Sequence, residues 1–494
     1  MSAYATLESR FRRASLIDSA AGILNWDGAV MMPEGSAEAR AEQMAALSLV
    51  SQDLLTADDM GDLLGSAAEE ALDDWQTANL REMRRSWVRQ TAIPSSLIEA
   101  QARANSACEI AWRAARPKSD FASVLPLLEE VVRLVIEAGQ AWSAAQGLDL
   151  YDALLDGFEP GGRADDIDPV FDHLAAFLPD FTQQVIDRQA AAPPVAPEGP
   201  FPTDRQARLG RRLMTAMAFD FNKGRLDISH HPFSGGTPDD IRITTRYDED
   251  DFLTAIFGVL HETGHAQYEA GLPKSWRHQP VGNARGMTLH ESQSLLIEMQ
   301  ACRSSAFMTW AAPLMAEAFA QSGPAWSSDN LLALVTRVER GFIRVDADEV
   351  TYPAHVILRY RLEKAVLSGD LLLQDLPGAW NDGLEALLGI RPPEDRIGCL
   401  QDIHWYDGAW GYFPTYTLGA MAAAQLFDTA KAVDSDIEPG LARGDFKPLY
   451  AWLRPNVHEM GSRLSTNELL THATGRPLDP AAFEKHLTAR YLDA

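Results

Sequence analysis

Apolar side chains recur every third or fourth position through residues 4–20, 36–55, 66–92, 96–115 and 120–145, among Ala, Leu, Arg and Glu, and this period predicts a succession of amphipathic helices. Pro94 stands before Ser95 and Ser96 as a helix start, and Pro117 follows the end of the next helix. Between Ala190 and Asp204 the period gives way to Pro193, Pro194, Pro197, Pro200 and Pro202, which predicts an extended surface connection and marks a candidate boundary. A further helix is predicted near 205–220.

The pattern then changes. Arg225–Ser229 and Asp240–Tyr247 alternate in the manner of short strands, with Ser234-Gly235-Gly236-Thr237-Pro238 as the turn between them, so a small β-hairpin is expected. Its exposed edge would suit backbone pairing with an extended peptide. From Asp251 the helical period returns, with Phe252, Ile256, Val259 and Leu260 on one apolar face. Gly258 and Gly264 each weaken an isolated helix by about 1 kcal/mol relative to Ala, which points to close packing against a neighbour.

That helix carries His261-Glu262-Thr263-Gly264-His265. On a helix the two imidazoles lie one turn apart on one face, the arrangement that grips a divalent metal. Such a site needs a third protein ligand and an open position for water, and Glu262 is placed to take that water's proton. The next segment, Leu289–Glu298, reads as a second helix that Gly271, Pro273, Pro280 and Gly282 allow to turn back on the first. Glu291 is the preferred third ligand, with His290 and Glu298 as rivals.

Composition narrows the class. A chain of 494 residues with net charge -27 lacks the clustered Lys and Arg that neutralise phosphates; Arg81–Arg85 and Arg208–Arg212 read as polar faces of helices, and no nucleic-acid role is expected. Cys108, Cys302 and Cys399 are too few and scattered for a disulfide framework. The first ten residues lack the apolar core of a signal peptide and no run reaches membrane-spanning length, so a cytoplasmic protein without membrane association is expected.

Further motifs follow in order: His231-Pro232-Phe233, Asp240-x-Arg242-x-Thr244, His290-Glu291-Ser292-Gln293, Ile343-Arg344-x-x-Ala347-Asp348 and Gly398-x-x-Gln401-Asp402-x-His404-Trp405. With the His261–His265 pentapeptide they resemble the signature set of the carboxypeptidase Taq family. Asn25-Trp26-Asp27, Tyr151–Asp156, Phe158–Gly161 and Phe413–Gly419 also resemble family segments, Phe158 standing where Tyr is common, so the likeness spans nearly the whole chain.

The resemblance implies a mostly α fold: a large helical metallopeptidase body with a deep substrate cleft and a small β-hairpin or sheet beside the metal helix. Length and the proline-rich segment predict a single helical domain over 1–494, with 1–204 an N-terminal helical part and 205–494 carrying the catalytic motifs. The resemblance further implies a zinc metallocarboxypeptidase, commonly a homodimer, that removes single residues of broad type from peptides with a free C-terminal carboxylate. His261, His265 and Glu291 are then the metal ligands and Glu262 the general base. Co2+ or Mn2+ are possible substitutes in such a donor set.

Substrate contacts are expected from Arg344, whose guanidinium fork suits a terminal carboxylate, then from Arg242 and Gln401. The rival reading of Arg344 is an ion pair with Asp346 or Asp348. His404 and Tyr416 are candidates to complete the oxyanion site. Asp348 and Gln293 are candidates to orient the metal ligands. The alternatives are a helical metallo-oligopeptidase or dipeptidyl carboxypeptidase with the same metal triad, and a non-catalytic helical scaffold.

Overall fold

Helices at Ala3–Val30 and Ala37–Leu55 open the chain, and the predicted helical succession continues through Ser95–Ala115, Phe121–Gln146 and Ala164–Gln189 in the computed structural model, which describes residues 2–229 and 232–493. The expected helix over 66–92 divides: one helix ends at Ala68 and the next begins at Asp74. The intervening Glu69–Asp73 supplies the start signal that the period alone hides, since the Asp73 carboxylate accepts from the backbone N–H of Gln76. No helix of the described residues is long and apolar enough to cross a membrane.

The chain forms two compact units that interleave along the sequence. One comprises Met1–Gln90, Pro193–Thr336 and Gly419–Leu478; the other comprises Thr91–Ala192, Arg337–Leu418 and Asp479–Ala494. The chain crosses from the second to the first within the proline-rich segment.

In the first unit the helix Phe252–Gly271 is central. The Asp251 side chain caps it by accepting from the N–H groups of Leu253 and Thr254. Phe252, Ile256, Val259 and Leu260 are all buried, each worth about 1.5–3 kcal/mol of transfer free energy. Phe252 stacks on Trp326 and contacts Phe201 and Phe319, anchoring the helix's first turn in an aromatic cluster.

The sheet beside this helix has three strands: β1 (Gly224–Ile228), β2 (Phe233–Thr237) and β3 (Asp240–Thr245), in the order β1-β3-β2. This corrects the simple hairpin. Ser234–Thr237, expected as a turn, form β2, which pairs antiparallel with β3, while β1 runs parallel to β3. The reversal is compressed into Pro238 and Asp239. Gly236 permits it, with φ +86° and a site where a Cβ would lie 2.1 Å from the Asp240 carbonyl oxygen.

In the second unit, Tyr360 packs edge-on against Tyr151 and Phe171. Trp405 stacks on Trp410 and packs edge-on against Trp380. The fully buried carboxylate of Glu363 accepts from the Tyr151 hydroxyl at 2.8 Å and the Trp405 indole N–H at 2.9 Å, joining the Tyr151 and His404-Trp405 segments.

Candidate metal centre

The second predicted helix exists over Met287–Leu295 and continues as a wider π-turn over Leu296–Ala301, an irregularity common at functional sites. It meets the Phe252–Gly271 helix backbone to backbone at Gly264. A Cβ there would lie 2.6 Å from Ser294 Cα and 2.7 Å from the Gln293 carbonyl oxygen. Gly258, by contrast, has nothing within 4 Å of such a Cβ, so only one of the two glycines serves close packing.

This approach brings His261, His265 and Glu291 together, with one ligand atom from each lying within 4.8 Å of the others. Glu291 Oε1 is 4.0 Å from His261 Nε2, and Oε2 is 3.6 Å from His265 Nε2. Two imidazole nitrogens and a carboxylate oxygen converging on one point fit a divalent ion with a free coordination position. Glu262, one residue after the first imidazole, is buried, and burial foremost pushes its carboxyl up to about 7, with the His261 charge opposing and the Glu291 charge adding.

The two rivals for the third ligand hold the imidazoles from behind. Glu298, on the π-turn, lies 2.9 Å from His261 Nδ1, and its other oxygen accepts from Arg303 at 2.6 Å. Burial lowers the His261 proton affinity, but the Glu298 hydrogen bond and the Glu291 and Glu298 charges outweigh it and raise the ring to about 10. His290 lies against His265 and Glu269, so both its ring nitrogens are engaged within the protein. Gln293 does not orient an imidazole of the triad: its carbonyl oxygen faces His458 Nε2 at 3.0 Å and its amide donates to Ser292.

In the same unit, Arg242 is pinned to Asp240 through Nε and Nη2, at 3.1 and 2.7 Å, and lies over the Trp26 ring at 4.4 Å. Thr244 accepts from the Phe233 N–H at 3.0 Å and its hydroxyl pairs with Ser229 at 2.7 Å. His231 of the His-Pro-Phe motif lies outside the described residues.

In the second unit, Arg344 is buried. It donates to Asp402 at 2.8 Å through Nη2 and to the Tyr352 hydroxyl at 2.8 Å through Nη1. Its partner is therefore Asp402 rather than Asp346 or Asp348; Asp348 instead accepts the N–H groups of Glu339, Val350 and Thr351. Arg359, fully buried, also donates to Asp402 at 2.7 Å. Two guanidiniums against one carboxylate leave this cluster with one excess positive charge. Burial opposes ionisation of Asp402, yet Arg359 and Arg344 hold it well below the usual carboxylate range.

Gln401 is consumed by the protein. Its carbonyl oxygen accepts from the Arg344 N–H at 2.8 Å, and its amide donates to the carbonyls of Phe342, Ile397 and Gly398. Gln401 thereby grips the Arg344 backbone. His404 Nε2 faces the Tyr416 hydroxyl at 3.3 Å, while its buried Nδ1 has no hydrogen-bond partner among the described residues. Burial foremost, with Arg344 and Arg359, lowers its pKa to about 4 against the pull of Asp402, leaving a neutral ring at pH 7.

A two-helix site of this kind, with a catalytic-type carboxylate beside paired imidazoles, defines a metallopeptidase class. Residues 6–491 match the family model described as carboxypeptidase Taq (M32) metallopeptidase. The chain is 38% identical to thermostable carboxypeptidase 1 of Thermus thermophilus, covering 99% of this chain and 98% of that protein. It is 34% identical to carboxypeptidase 1 of Bacillus subtilis, covering 97% and 96%. Among solved structures, metallocarboxypeptidase 1 of Trypanosoma cruzi superposes with a TM-score of 0.97 at 39% identity, covering 99% of both chains. The chain belongs to the carboxypeptidase Taq family and is a metallocarboxypeptidase.

Proposed function

We propose that the protein is a zinc-dependent carboxypeptidase that releases single amino acids, with broad preference, from peptides bearing a free C-terminal carboxylate. The observation that carries the reading is the convergence of His261, His265 and Glu291 with Glu262 in the same helical turn. A zinc ion bound there supplies Lewis acidity to the scissile carbonyl and acidity to the attacking water. Glu262 accepts the proton of that water at its carboxylate and returns it to the leaving amine.

Arg344 reads the terminal carboxylate. The excess positive charge it shares with Arg359 supports the role, since one more anion balances the cluster. Gln401 holds the Arg344 backbone. His404 and Tyr416 supply the donor to the developing oxyanion, and Arg242, fixed on Asp240, limits how substrate enters. The protein acts in the cytoplasm as a homodimer and needs neither a membrane nor nucleic acid.

The test is incubation of zinc-loaded protein with an unblocked peptide and its C-terminal amide, products followed by mass, with a chelated control. Stepwise loss of single residues from the free acid only, abolished by chelation, is expected. Equal internal cleavage of both peptides would move the protein to the oligopeptidases.

A further inference from the structure

The two imidazoles of the metal centre are held by unlike partners. His261 Nδ1 meets a carboxylate directly, Glu298 at 2.9 Å. His265 Nδ1 instead meets the Nδ1 of a second imidazole, His290, at 2.6 Å, and the far nitrogen of His290 lies 3.0 Å from Glu269 Oε1. Glu269 is one helical turn beyond His265 on the same helix, and its side chain is 29% exposed.

Two ring nitrogens this close share one proton, because two N–H groups would collide and two lone pairs would repel. An ionised carboxylate only accepts, so His290 carries its proton on Nε2, facing Glu269. With the His290 ring neutral, its Nδ1 is the acceptor and His265 is the donor through Nδ1–H. That leaves the lone pair of His265 on Nε2, the nitrogen 3.6 Å from Glu291 Oε2. The protons thus point one way along the chain His265, His290, Glu269, and the arrangement selects the tautomer of His265 that can ligate. Neighbours behind a metal-bound imidazole fix its orientation and strengthen it as a donor.

We propose that His290 and Glu269 are positioning residues for the metal, setting the tautomer and aim of His265 through this relay without touching the ion. His290 thereby acts immediately beside the ligand Glu291 in sequence, but on the opposite side of the imidazole. The inference rests on the reading of His261, His265 and Glu291 as ligands.

The test is zinc affinity, measured by competition with a chromophoric chelator, and the visible absorption spectrum of the Co2+-loaded protein, for wild type, His290→Leu, His290→Asn and Glu269→Ala. His290→Leu should weaken zinc binding by about 10- to 100-fold and change the Co2+ bands. Asn places an oxygen where Nδ1 stood and should recover most of that loss. Glu269→Ala, at the partly exposed end, should show a smaller loss in the same direction. Wild-type affinity in both His290→Leu and Glu269→Ala would overturn the relay, as would His290→Asn binding no better than His290→Leu. If His290→Leu fails to fold, wild-type zinc affinity in Glu269→Ala by itself overturns the relay. A wild-type protein that takes up no zinc, or a His265→Ala variant that binds it undiminished, would instead sink the ligand assignment.

Discussion

A Cβ on Gly264 would lie 2.6 Å from the Cα of Ser294, so the helix bearing the two imidazoles and the helix bearing Glu291 touch through bare backbone. Gly264→Ala gains helix propensity of about 1 kcal/mol but must push apart two backbones that cannot rotate away. Overpacking of this sort costs about 1–3 kcal/mol, and the separation also spreads the ligands. The variant should melt lower and bind metal more weakly, whereas Gly258→Ala, with open space around it, should melt slightly higher. Thermal unfolding of both variants checks the pair, and equal shifts would contradict the packing argument.

Glu262→Gln keeps the shape of the side chain and removes its basicity. Turnover should fall by about 10²- to 10⁴-fold while one equivalent of metal remains bound. Metal content and steady-state rates on the same preparation separate the two effects; near-normal turnover with full metal would remove Glu262 as the base.

Arg344→Ala should act on recognition. Loss of a hydrogen-bonded charge costs about 1.5–3 kcal/mol, so the Michaelis constant for free-acid peptides should rise roughly ten- to hundredfold. Discrimination between a peptide acid and its amide should shrink accordingly. Asp402 keeps Arg359 as a partner in the variant, so its buried charge stays paired. Unchanged acid-over-amide preference would assign Arg344 to the ion pair alone.

Glu363 gives the protein a pH dependence of its own. Burial foremost lifts its carboxyl to about 7, against the hydrogen bonds from Trp405 and Tyr151. Below pH 4.5 the group is protonated folded or unfolded. Between pH 4.5 and about 7 only the folded state keeps the proton, so its contribution to stability falls as pH rises through that window, by about 3 kcal/mol in all, and is flat above it. Glu363→Gln cannot titrate and lacks this decline. Wild type minus variant stability, from urea unfolding at pH 5 and pH 8, should therefore be greater at pH 5; a difference independent of pH would refute the raised carboxyl.

The helical body was legible because period and caps act locally: Phe252, Ile256, Val259 and Leu260 name a buried face, and Asp251 names its start. The shared face of His261 and His265 was legible for the same reason, since helix geometry fixes their spacing; that Glu291 meets them comes from the packing of a second helix. Strand partners were not, since nothing in Ser234–Thr237 records that β3 would recruit them and leave β1 parallel. Nor were the outer contacts. His290 and Glu298 carry the chemistry of ligands, and only the π-turn and the rotation of the second helix set them behind the imidazoles. Asp402 as the partner of Arg344 is a contact across 58 residues, beyond any periodic pattern.

The interleaving of the two units governs how this protein is made and how it can be altered. His261, His265 and Glu291 lie in one uninterrupted segment, Pro193–Thr336, but that segment's unit also contains the chain's first ninety residues and Gly419–Leu478. A ribosome therefore delivers Gly419–Leu478 long after Met1–Gln90, and only then has this unit all its parts; no single uninterrupted stretch of chain shorter than Met1–Leu478 contains it.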